Sequence, residues 1–128
     1  SRHFVRDHVA RGERGALAAY LNADMVASPN YVLNKLRVAR DGGNMPRALR
    51  DASERLADMF DAHFDAAGVR HGNTYELEVP GNSDFAAFLA AGVASSGPDA
   101  GATDRKTRAE RAAYGGVRGA ELDPCYHR

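Results

Sequence analysis

The sequence predicts an α/β fold, with part of a mixed, mostly parallel twisted sheet flanked by helices. Three observations point there. Helical and strand periodicities alternate along the chain instead of separating into blocks. The apolar run 16–23 lacks a helical period and reads as a strand buried on both faces. That run leads into a carboxylate, Asp24, and open α/β sheets gather ligands outside the carboxyl ends of their strands.

The elements follow in order. Phe4, Val5, His8 and Val9 fall at helical spacing, so residues 2–10 read as a helix end, stopped by Gly12. Ser28-Pro29-Asn30 breaks the chain into a loop after the first strand. Residues 36–40 alternate apolar and basic side chains, as a half-exposed strand does, and Asp41-Gly42-Gly43-Asn44 turns. The strongest helical signal spans 46–67, where Leu49, Ala52, Leu56, Met59, Phe60, His63 and Phe64 form one stripe. Pro46 suits its first turn and Gly68 its end. Residues 75–79 alternate as another strand, followed by a turn at Pro80-Gly81-Asn82. Ser83 is placed to cap a short helix over 84–91, with Phe85, Phe88 and Leu89 inward. Val93-Ala94 reads as a last short strand, 95–103 as a Gly/Ser/Pro-rich loop, and 105–114 as a helix ended by Gly115-Gly116. No repeat or linker divides the chain, so residues 1–128 form a single unit.

Charge excludes some partners. The 17 basic and 17 acidic residues cancel, which leaves no electrostatic footprint for nucleic acid or an anionic membrane. No apolar run approaches the roughly 18 to 20 residues that span a bilayer. Ser1 opens no signal peptide and is not a Met, so it reads as a processing boundary, and the residues encode no location. Cys125 is the single cysteine and has no internal disulfide partner.

The candidate chemistry lies at the two ends. An Asp leaving a strand and a His in a late loop, in Asp123-Pro124-Cys125-Tyr126-His127, are ligand types that zinc accepts. Each has a plainer reading: Asp24 as a turn cap, His127 as a solvated residue near a terminus, Tyr126 as a packed aromatic. His8 and His63 lie on apolar faces and read as core or boundary residues, while His3 and His71 lack a partner at metal-binding spacing. No Gly-x-Ser-x-Gly elbow is present, which argues against serine hydrolysis, and Gly42-Gly43 does not open a P-loop.

Taken in order, these landmarks resemble the C-terminal half of the co-catalytic di-zinc aminopeptidases, the bacterial leucine-aminopeptidase-like zinc metallopeptidases. The resemblance rests on five segments: residues 20–30 (Tyr-Leu-Asn-Ala-Asp-Met-Val-Ala-Ser-Pro-Asn), residues 81–88 (Gly-Asn-Ser-Asp-Phe-Ala-Ala-Phe), Lys106-Thr107, Gly115-Gly116 and residues 123–127. It implies a zinc exopeptidase-like sheet between helices, incomplete in this chain. It implies that Asp24 ligates one zinc, that His127 ligates the other, and that Tyr126 donates a hydrogen bond to the carbonyl oxygen of a peptide substrate as the tetrahedral intermediate forms. A secreted or cell-envelope parent protein is also implied.

The family's His-x-Asp and Glu-Glu segments, with the bridging ligand and general base, have no counterpart here. The expected missing partner is therefore an N-terminal half of the domain, and the chain alone is expected to be inactive, to bind zinc weakly, and to be partly unfolded or self-associating. Two departures fall in the substrate-binding region. Pro80 and Asn82 stand where several relatives carry an acid and an Arg, and the pocket loop reads Gly97-Pro98-Asp99-Ala100-Gly101. Asn82 and Asp99 are thus candidate substrate-binding residues, and they argue against a simple pocket for large apolar side chains. They also keep open a non-catalytic binding or structural relative of the same fold, or a different reaction such as carboxypeptidase or cyclase chemistry on it.

Overall fold

The computed structural model describes residues 2–9, 15, 17–38, 45–76 and 83–127. Helix α1 (Arg2–Phe4) runs into one π-helical turn, Val5–Val9, in place of the continuous helix expected to residue 10. Gly12 and the turns at 41–44 and 80–82 lie outside the described residues. Val9 is buried, but His8 is exposed, with its ring 4.7 Å from that of Phe4.

Two small sheets make up the β-structure. Strand β1 (Tyr20–Leu21) pairs in parallel with β4 (Ser95–Ser96). Strand β2 (Asn34–Val38) lies between β3 (Gly72–Glu76), parallel to it, and β5 (Pro98–Asp99), antiparallel to it. The pairing is therefore mixed and mostly parallel. Gly97 joins the sheets: its carbonyl accepts from Leu36 N–H at 2.9 Å, and a Cβ there would collide with the Asn22 backbone.

Residues 95–99 correct the expectation of a loop. Their composition looks like loop, yet β1 and β2 take up their backbone groups, and the buried Ser95 and Ser96 hydroxyls donate to the Val93 and Leu36 carbonyls. Val93 and Ala94 precede the strand. The first strand is shorter than expected and is not buried on both faces, since Leu21 is 59% exposed. Among the described residues, the edge of β1 opposite β4 carries no strand.

Helix α2 (Arg47–Ala66) covers β2 and β4 through its small residues: Ser53 and Ala57 are buried, and Ser95 N–H donates to Ser53 Oγ at 3.1 Å. The stripe expected from sequence is rotated as a result. Met59 stands about 200° around the helix from Ala57 and is 67% exposed, and His63 is exposed as well. Helix α3 (Phe85–Ala90) fills the core: Phe85, Ala86 and Leu89 pack on Leu36 and Val38, and Phe88 packs on Val9 and Val93. Tyr20 joins both clusters, with its ring stacked on Phe88 at 3.8 Å.

Strand alternation sends Lys35 and Arg37 away from Leu36 and Val38, toward the acidic side of α2. Lys35, 2% exposed, pairs with Asp61 and donates to the Gly72 carbonyl at 3.2 Å. Arg37 pairs with Glu54, Asp58 and Asp61, and His71 Nε2 lies 2.8 Å from Asp61 Oδ1. Burial pushes the Asp61 carboxyl up, but the hydrogen bonds from Lys35, Arg37 and His71 outweigh it and hold that carboxyl below its ordinary value.

Helix α4 (Arg108–Tyr114) starts at Arg108, later than expected, because Thr107 caps it: Glu110 N–H donates to Thr107 Oγ1 and Thr107 N–H to Glu110 Oε2. Two buried side chains then tether the final segment. Lys106 donates to the Tyr31 and Gly115 carbonyls at 2.7 and 3.0 Å, and burial pushes its ammonium pKa down. Asn30 donates to the Val117 and Glu121 carbonyls, both at 3.1 Å, and accepts from Val117 N–H at 2.9 Å. Gly116 has φ +77°, and a Cβ there would collide with the Asn30 amide.

Asp61 contributes stability above its unfolded pKa, near 3.8, and that stability is lost as pH falls through its depressed folded value. Urea midpoints measured from pH 6 downward are expected to fall most steeply below about pH 4, with a shallower fall for Asp61→Asn. Asn30→Ala removes the side-chain hydrogen bonds to the final segment at a buried position and is expected to cost about 1–3 kcal/mol, read as a lower midpoint in the same titration.

Candidate functional site

The site forms where β1 ends. Tyr20 N–H donates to the Ala94 carbonyl at 2.8 Å, Asn22 N–H to that of Ser96 at 3.0 Å, and Asp24 N–H to that of Pro98 at 2.9 Å. This spacing of two puts the side chains of Tyr20, Asn22 and Asp24 on one face. Met25 then takes φ +51°, rare for a residue with a side chain, and turns the chain away. Ser28, buried, holds the turn by donating to the Met25 and Gly101 carbonyls at 3.0 and 2.7 Å.

Asp24 belongs to a chain of hydrogen bonds. Tyr20 OH donates to Asn22 Oδ1 at 3.2 Å, Asn22 Nδ2 donates to Ser83 Oγ at 2.8 Å, and Ser83 Oγ donates to Asp24 Oδ2. Asn22 Nδ2 also lies 3.4 Å from Asp24 Oδ2. These bonds end on Oδ2, so Oδ1 is engaged by neither donor. Burial, then the charges of Asp84 and Asp24, raise the pKa of Tyr20, which keeps its phenol a donor. Ser83 does not cap α3, which has no side-chain cap; its hydroxyl is directed to Asp24.

The terminal segment comes to the same place. Asn30 N–H donates to the Leu122 carbonyl at 3.1 Å and Asp123 N–H to that of Ala102 at 2.7 Å, with Leu122 buried. Asp123 Oδ1 accepts from Cys125 N–H at 2.8 Å, and Cys125 is an exposed free thiol. Tyr126, about a hundred residues from Asp24, thereby lines the same cavity of about 150 Å³. Its other walls include Met25, Thr74, Ser83, Pro98 and Asp99.

The predicted residues therefore divide. Asp24, Tyr126 and Asp99 share the cavity. His127 is exposed and does not line it; its ring stacks on Tyr126 at 4.0 Å, with φ +55°. Asn82 lies outside the described residues. The sequence does not single out Asn22, and it reads Ser83 as a cap and a framework hydrogen-bonding residue, of which the structure keeps the second. The sequence signal was the polar pair Asn22 and Asp24, two apart within an apolar run.

The donor chemistry at Asp24 fits a metal ion: a carboxylate oriented by neighbouring donors, as ligating carboxylates are, with one oxygen engaged by neither donor. Among the described residues no group of three or more His, Cys, Asp or Glu side chains is placed to hold a metal by itself. No helix among them is long and apolar enough to cross a membrane.

Similarity to known proteins accords with this geometry. The chain is 33% identical over 127 residues to an aminopeptidase of Pseudomonas aeruginosa, matching 99% of this chain and 23% of that protein. It is 30% identical to a probable leucine aminopeptidase 2 of Aspergillus oryzae, with 99% and 24% covered, and 30% identical to leupeptin-inactivating enzyme 1 of Streptomyces exfoliatus, with 99% and 25% covered. It thus spans about a quarter of the length of these relatives. The model of peptidase family M28 matches residues 1–128 throughout, and the chain belongs to that family.

Proposed function

We propose that the protein containing this chain is a zinc-dependent aminopeptidase that hydrolyses the first peptide bond of a peptide substrate, outside the cytoplasm. One observation supports this most: the Asp24 carboxylate and the Tyr126 phenol, from opposite ends of the chain, line one cavity. Asp24 would hold one zinc ion and His127 a second. When bound, such a pair activates water and polarises the scissile carbonyl.

This chain's own side chains supply positioning and charge stabilisation. Ser83 and Asn22 fix the rotamer of Asp24 through Oδ2. The Tyr126 phenol donates to the carbonyl oxygen where negative charge develops, an interaction made mainly in the transition state. The general base and the other ligands would come from the segment that completes the domain, so these 128 residues alone are read as inactive.

The test uses the complete metal-loaded polypeptide. Tyr126→Phe is expected to lower kcat on leucine p-nitroanilide by about 10²–10³-fold with KM little changed, as loss of one oxyanion donor does. Asp24→Asn is expected to lose both activity and stoichiometric zinc, measured by metal analysis. Hydrolysis at the wild-type rate in Tyr126→Phe, or full zinc content in Asp24→Asn, would remove those roles. Calorimetry on residues 1–128 alone is expected to show no micromolar zinc site.

A further inference from the structure

From the same cavity we infer that Asp99 makes this site select a substrate whose first residue carries a cationic side chain, lysine or arginine. The inference rests on the peptidase reading and adds the substrate class. Asp99 lies on β5, bridged to Asp24, and both carboxylates line the cavity. Asp24 is the metal ligand on that reading, which leaves Asp99 as the second negative charge.

The partners of Asp99 do not neutralise it. Its Oδ1 accepts from Gly101 N–H at 2.9 Å and its Oδ2 from Thr74 Oγ1 at 3.2 Å, both neutral donors. They hold the side chain in one rotamer and supply no positive charge. Among the described residues, no Lys, Arg or His lines the cavity and no ion pair reaches Asp99. The cation beside it in register is Lys35, opposite Pro98, and Lys35 directs its ammonium to Asp61 and the Gly72 carbonyl.

Shape and polarity agree with charge. Met25, Leu36, Pro98 and Ala102 give the cavity apolar walls. A void of roughly 150 Å³ accommodates a group the size of benzene, close to the stem and head of a lysine side chain. Long basic side chains present an apolar stem and a charged tip, which matches apolar walls around a fixed carboxylate. A leucine side chain would fill the walls but leave the carboxylate desolvated without a counter-charge, which costs binding. Tyr126 lines the same space, so a side chain seated there lies beside the group assigned to the scissile carbonyl.

The experiment measures kcat/KM of the complete metal-loaded polypeptide for lysine, arginine, leucine and glutamate p-nitroanilides. Lysine and arginine are expected to exceed leucine by about 10- to 100-fold, the range for a hydrogen bond to a charged group. Asp99→Asn keeps an acceptor for Gly101 N–H and a donor for Thr74, and it is expected to cut the lysine-to-leucine ratio by a similar factor. Leucine cleaved as well as or better than lysine by the unaltered protein would overturn the inference while leaving the peptidase reading intact, and this comparison needs no variant to fold. A ratio unchanged in Asp99→Asn would also overturn it. Cleavage of none of the four would take down the peptidase reading, and this inference with it.

Discussion

Three backbone hydrogen bonds, from residues 20, 22 and 24 to the carbonyls of 94, 96 and 98, decide most of what this molecule presents. They set the register of a strand whose ordered ladder is only two residues long. A slip of one residue would turn Tyr20, Asn22 and Asp24 to the opposite face and take Asp24 out of the cavity. Gly97 makes the register possible, because no side chain fits between its Cα and the Asn22 backbone. The same stretch, 95–99, carries β4, β5 and Asp99, so the cavity's metal-binding candidate and its second carboxylate are placed by one pairing.

The rest of the fold braces that pairing from two sides. On one, α3 fills the core and supplies Phe88, on which Tyr20 stacks, while the residue two positions before it supplies Ser83 for Asp24. On the other, β2 is locked to α2 by Lys35 and Arg37 against three acids. The charged contacts bear on the position of β2 more than on net stability, because desolvation of such pairs offsets much of their attraction, and what stability they add is carried by the ionised Asp61. The final segment is tethered separately, by Asn30 and Lys106, and through it Tyr126 reaches the site. Met25 and His127 are the non-glycine residues described with positive φ, and both are at the candidate site or adjoin it, where backbone strain tends to concentrate.

Legibility differed element by element. Helix α2 was readable because twenty residues of strong periodicity outweigh local exceptions, but its orientation was not. Ser53 and Ala57 face the sheet because small residues allow close approach, and this leaves Met59 in solvent. The strands at 95–99 were hidden because their residues are Gly, Ser, Pro and Asp, whose pairing depends on partners some 60 to 75 residues away. Ser83 reads as a cap or a framework hydrogen-bonding residue because it stands just before a helix; only the long-range contact shows which partner its hydroxyl takes, Asp24.

The sequence by itself determined the α/β class, the main helix and Asp24 as a strand-end carboxylate, because periodicity and residue chemistry are local properties, while Tyr126 and Asp99 stood out only through the resemblance of their segments to the aminopeptidases. Tertiary structure alone decided that these three share one cavity, that Asn22 and Ser83 orient Asp24, and that His127 lies outside the cavity on the ring of Tyr126. Those are distances between residues far apart in the chain. They are set by strand register, a glycine-sized gap and two buried tethers, none of which leaves a periodic trace in the sequence.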